Sequence, residues 1–109
     1  MRHPNWQLEN QALAIIDMQN AFCDERGSFF KRGHHIANIP TIKSSILDLV
    51  RLFKSRNLPI VCTKMEFSAD YREAGLLVTE KYPVIRETQA YLQGSWDSEL
   101  VDELKLALG

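Results

Sequence analysis

Apolar residues fall along this chain in two kinds of run. Ala12-Leu13-Ala14-Ile15-Ile16 is short, continuously apolar and ends on a polar residue, Asp17; such a run predicts a strand buried on both faces of a parallel sheet. Beyond Pro40 and Thr41, Ile42, Ile46, Leu49, Val50 and Phe53 recur at spacings of three and four, which predicts a helix with these residues on its covered side and Lys43, Asp48, Arg51 and Lys54 in water. Asn57 and Pro59 supply the stop, because Asn tolerates the left-handed conformation past a helix end and Pro cannot continue the helix. Ile60-Val61-Cys62-Thr63 then predicts a second strand.

Strand, amphipathic helix and strand in that order form a βαβ unit with a right-handed crossover, so the fold class is α/β. Gln19 to Gly33, polar and glycine-containing, is expected to be a long loop, and Lys64 to Gly94 an irregular stretch with one short helix around Leu76 to Tyr82. Asp97 is placed to N-cap a last helix whose face carries Leu100, Val101, Leu104 and Leu108. The whole chain, 1–109, is expected to be one domain and an incomplete one. Two strands are marginal in isolation, and a further strand would begin about where residue 109 stands.

Composition, at 45% hydrophobic and 25% charged, is that of a globular domain. The net charge of -1 with mixed signs leaves no basic stripe, and nucleic acid is excluded as an expected partner. Met1 to Asn10 is too polar for a secretory signal or transit peptide, and no run approaches the roughly 20 apolar residues of a membrane span. The expectation is a cytoplasmic protein with no membrane partner. Cys23 and Cys62 lack metal-ligand spacing and read as reduced thiols.

Open α/β sheets bind ligands beyond the carboxyl ends of their strands, which directs attention to Asp17 and to the Thr63 to Asp70 segment. A carboxylate directly after five apolar residues is partly desolvated and suits a general acid or base. The competing reading is a carboxylate that ends the strand by capping backbone N–H groups. Phe22, Phe67, Tyr71 and Trp96 flank the expected crevice and are candidates to line an apolar substrate pocket, against plain core or subunit packing.

Ala14-Ile15-Ile16-Asp17-Met18-Gln19-Asn20-Ala21-Phe22 resembles the opening signature of the isochorismatase-like cysteine hydrolases, with Ala21 where an acidic residue is usual. Gly27-Ser28-Phe29, Leu58 to Thr63, Asp70 to Leu77, and Gly94 to Asp97 with Val101 to Leu104 resemble further stretches of that family in the same order. The resemblance implies the N-terminal part of a three-layer, doubly wound, Rossmann-like parallel-sheet domain. It also implies an Asp, Lys and Cys set in which the thiolate attacks a carbonyl or carbamoyl carbon and water hydrolyses the resulting thioester.

Asp17 matches the catalytic aspartate; no residue matches the lysine or the cysteine. Lys105 falls inside the last helix and reads as a solvated lysine. Cys23 has acidic neighbours, Asp24 and Glu25, which disfavour a thiolate, and Cys62 reads as a small hydrophobe in its strand. His34 and His35 raise the metal site of nicotinamidase relatives, but Lys64-Met65-Glu66-Phe67 stands where a further histidine segment belongs, so neither metal nor cofactor is expected. The expected partners are a small-molecule substrate and further copies of the chain, since an unpaired strand edge invites pairing. Two functions follow: a hydrolase of small amide, carbamoyl or related metabolites, or a non-catalytic relative acting as a folded or assembly module.

Overall fold

Two parallel strands, β1 (Leu13–Ile16) and β2 (Ile60–Thr63), pair with Leu13 opposite Ile60 and Ile16 opposite Thr63. The computed structural model describes residues 8–109; the polar stretch Met1 to Gln7, read above as part of a non-signal N-terminus, lies outside the described residues. A mixed α/β chain around a parallel pair is the architecture expected from the apolar runs.

The crossover is α3 (Ile39–Ser55), preceded by two single-turn helices, α1 (Asn20–Cys23) and α2 (Ser28–Lys31). Its end follows expectation: Asn57 takes a left-handed φ of 55° and Ile60 opens β2. Its orientation differs. Val50 and Phe53 are buried, but Ile42 and Leu49 are exposed, and the half-buried Lys43, Ile46 and Leu47 turn towards the last helix, α5 (Asp102–Leu108). Two lysines frame that seam. Lys43 reaches Glu103 at 3.4 Å, and Lys54 donates to the carbonyls of Ala107 and Leu108 at 2.9 and 3.1 Å, where a cation complements the negative end of a helix.

The strands are covered on one face, not on both. Leu13, Ile15, Ile60 and Cys62 gather with Val50, Val101 and Leu104 in one core, whereas Ile16 and Val61 are 67% and 54% exposed. The reason is that α3 and α5 lie on the same side of the pair, leaving Ala14, Ile16 and Val61 uncovered among the described residues.

Gln19 to Gly33 is not a plain loop, because long-range bonds fold it into α1 and α2. Asn20 N–H donates to Glu99 O and Ala21 N–H to Asp97 O, each at 2.8 Å. Gly27 passes so close to α1 that a Cβ would stand 2.3 Å from Asn20 O. Asp97 is not the N-cap of α5, which starts at Asp102 after Val101 without a side-chain cap. Its carboxylate is already committed to Ser28 N, Ser28 Oγ and Tyr91 N, at 2.8, 2.7 and 2.9 Å.

The Lys64 to Gly94 stretch holds a 3-10 turn (Arg72–Ala74), a π turn (Leu77–Lys81) near the expected short helix, and α4 (Val84–Glu87). It builds a second core from Tyr71, Val78, Ile85, Ala90, Tyr91 and Ala21. Two cores explain the elongated outline: extents of 48 × 26 × 26 Å and a radius of gyration of 16.2 Å, against about 13 Å for a compact domain near this length. No described helix is long and apolar enough to cross a membrane.

Candidate active site

Asp17 stands where β1 ends, with a left-handed φ of 57°, a conformation that Asp visits more readily than most residues. The reversal carries the next residue, Met18, into the core beside Ile15. The Asp17 N–H points to Thr63 O and Oγ1, both at 3.2 Å, and Thr63 Oγ1 donates back to Asp17 Oδ1 at 3.2 Å. Among the described residues no backbone N–H donates to the carboxylate, so the capping reading finds no support in the geometry. Oδ2 is uncommitted among them.

The carboxylate opens into a recess of about 320 Å³ lined by Met18, Phe22, Cys23, Ile36, Ile39 and Ile42. A carboxylate with one free oxygen in largely apolar surroundings is equipped to take a proton from a group presented across the recess. Gln19, buried beside it, fixes the turn: its Nε2 donates to Met65 O at 2.8 Å and Ser98 O at 2.7 Å, while its Oε1 accepts from Met65 N at 2.9 Å. Asn20 Nδ2 donates to Trp96 O at 2.8 Å. These two amides tie the ends of both strands to the segment before α5. Sequence alone assigns neither of them a role; their place directly behind Asp17 in the quoted signature is the signal that could have found them.

Of the four aromatic candidates, Phe22 alone shares the recess with Asp17. Tyr71 is buried in the second core with its OH donating to Ala90 O at 2.6 Å, and Phe67 packs against it, ring centroids 5.5 Å apart. Trp96 lies under Arg26, 5.0 Å from guanidinium carbon to ring centroid, beside a different concavity shared with Asp24 and Asp102.

Burial is the main influence raising the Cys23 thiol pKa; Lys43 opposes it and Glu103 adds to it. The expected acidic neighbours are therefore not the principal cause. Asp24 is instead paired with Arg26 at 3.0 Å. Burial likewise raises the Cys62 thiol. Lys105 is an exposed helix lysine between Glu99 and Asp102, each at 3.7 Å. His34 stacks on Phe29 at 4.5 Å and His35 meets Phe30 edge-on at 5.7 Å, both exposed.

A second concavity, of about 350 Å³, lies on the other side of Phe22. The half-buried Arg32 enters it between two rings, its guanidinium carbon 5.5 Å from the Phe29 centroid and 5.3 Å from that of Tyr91. Its Nε donates to Ser28 O at 3.3 Å and its Nη2 to the Tyr91 hydroxyl. No sequence signal singled out either Arg32 or Tyr91.

A family model of the isochorismatase domain matches residues 11–109. Among curated proteins, the ureidoacrylate amidohydrolase RutB of Cronobacter sakazakii is 27% identical over 108 residues, covering 88% of this chain and 46% of the relative. The protein of the same name from Azorhizobium caulinodans is 27% identical over 109 residues, covering 89% and 48%. The chain thus spans about half the length of the curated relatives it matches. No solved structure matches it.

Proposed function

The chain belongs to the isochorismatase-domain family, and from that membership we propose that Asp17 is the general base of a cysteine hydrolase acting on a small amide or carbamoyl metabolite. The observation that carries this reading is the Asp17 carboxylate at the end of β1, held on one oxygen by Thr63 and on the other without a partner among the described residues, at the mouth of an apolar recess.

In this reading Asp17 accepts the proton of a cysteine thiol, and the thiolate adds to the carbonyl or carbamoyl carbon to form a C–S bond. The C–N bond breaks as the amine leaves with a proton, and water hydrolyses the thioester, returning the thiol. The lysine and cysteine of the set match no residue of this sequence. They are supplied by residues outside 1–109 or by a second polypeptide. Phe22 lines the substrate recess; self-association through the uncovered Ala14, Ile16 and Val61 face belongs to the same proposal.

The test is turnover of a ureido compound such as ureidoacrylate by this chain assembled with the segment that bears the lysine and cysteine. Asp17→Asn is expected to lower kcat by about 10²–10⁴-fold, the usual contribution of a general base. Undiminished turnover by that variant rules Asp17 out as the base. A second reading has its own observation: Cys23, the thiol lining the recess, is half-buried, and burial pushes its pKa up. On that reading the chain alone is a non-catalytic folded module, and Asp17→Asn changes nothing beyond stability.

A further inference from the structure

The concavity around Arg32 carries a group that the hydrolase reading does not use. Arginine has five N–H donors in a planar fork. One on Nε is occupied by Ser28 O and one on Nη2 by the Tyr91 hydroxyl. Three remain, with at least one on each terminal nitrogen, which is the pair that a carboxylate engages with both oxygens.

The ion pairs among the described residues are made by Arg26, Lys43, Arg51, Lys64, Arg72 and Lys105. Arg32 makes no ion pair among those residues. Arg56 and Arg86 share this lack, but both are exposed, whereas Arg32 is half-buried and oriented by two rings. The concavity beside it is walled by Phe22, Phe29, His34, Leu77, Tyr82 and Ile85. Its volume is at the small end of ligand pockets, which run from about 300 to 1,000 Å³.

We propose that this concavity binds a small planar carboxylic acid, its carboxylate on the Arg32 fork and its flat body against the rings of Phe22, Phe29 and Tyr82. Arg32 and His34 are the basic groups lining the concavity, and the planar guanidinium fork matches the two coplanar oxygens of a carboxylate. The fork is pre-oriented, so little side-chain freedom is lost on binding. The inference stands apart from the hydrolase reading. One extension rests on that reading: because Phe22 also lines the Asp17 recess, an acid anchored at Arg32 extends towards the proposed base.

The test compares benzoate, benzamide and phenyl phosphate by NMR titration of the 109-residue chain. Benzoate is expected to perturb the amides around Arg32 and Tyr91 and to bind at least tenfold tighter than benzamide, which has the same shape without the charge. Arg32→Gln, checked for an intact fold by circular dichroism, should reduce benzoate binding to the benzamide level, with Arg32→Lys in between. Equal binding of benzoate and benzamide overturns the proposal without recourse to a variant. So do perturbations that map elsewhere, or phenyl phosphate binding tighter than benzoate. None of these results depends on turnover, so a failed Asp17→Asn experiment leaves them intact.

Discussion

Gln19 and Met65, 46 residues apart, exchange two hydrogen bonds through one amide group, Gln19 Nε2 to Met65 O and Met65 N to Gln19 Oε1. Nε2 also reaches Ser98 O, so a fully buried side chain joins the exits of both strands to the segment entering α5. Replacing it by Leu keeps the volume but leaves one donor and two acceptors without this partner, Ser98 O in a buried site and the Met65 groups in a part-buried one. Each such loss costs about 1–3 kcal/mol. Gln19→Leu is expected to lose about 3 kcal/mol in all, read as a lower urea midpoint at an unchanged m-value; a loss under about 1 kcal/mol would contradict the arrangement.

Asp97 plays the same part between α2 and the second core, accepting from Ser28 N, Ser28 Oγ and Tyr91 N. Asp97→Asn preserves the shape, yet whichever oxygen becomes NH₂ then faces an N–H donor. The expected cost is about 2 kcal/mol, or a fall in melting temperature of roughly 8–16 °C for a domain of this size. Ser28→Ala removes only the hydroxyl bond and should cost about half as much. An Asn variant that melts with the parent chain would show that the carboxylate is not needed as a double acceptor.

Elements specified by local pattern were legible before the structure. The continuous run before Asp17, the spacing from Ile42 to Phe53, and Asn57 with Pro59 placed β1, α3 and β2, and Asp17 fell at the strand end as expected. What failed depends on contacts distant in sequence. The rotation of α3 goes with a contact distant in sequence, Lys43 meeting Glu103, 60 residues on. Asp97 had the composition of an N-cap, but its partner is Ser28, 69 residues back. Tyr71 and Phe67 were open between pocket wall and core packing, and they lie in the second core. Neither periodicity nor composition records that choice.

At Asp17 the backbone and the proposed chemistry make separable demands. With φ at 57°, a β-branched side chain costs about 1–2 kcal/mol where Asp or Asn costs little. Asp17→Asn should therefore melt within a few degrees of the parent, because its amide Oδ1 still accepts from Thr63 Oγ1, whereas Asp17→Val should be less stable by about 1–2 kcal/mol. Thermal melts of the two variants decide the point. Equal melting of the Val variant and the parent would remove the backbone constraint from the account, and the carboxylate alone would then explain the residue.

The phenols of Tyr71 and Tyr91 give the chain a defined alkaline limit. Burial is the main cause raising both pKa values; Asp97 adds to it at Tyr71, and at Tyr91 Arg32 opposes it while Asp97 and Asp17 add to it. A raised folded-state pKa means that the folded chain binds these protons more tightly than the unfolded chain does. The associated stability is fully present below the unfolded phenol value of about 10 and is lost as pH rises from there through the folded values. Urea unfolding at successive pH values should thus show stability falling above about pH 10, by up to ~1.4 kcal/mol per pH unit for each phenol. Tyr71→Phe removes one of the two groups and the bond to Ala90 O. It should lower stability at neutral pH by about 1 kcal/mol and make the alkaline decline shallower. If the decline keeps the parent's slope, Tyr71 is not one of the groups that drives it, and the buried position of its hydroxyl carries no pH dependence.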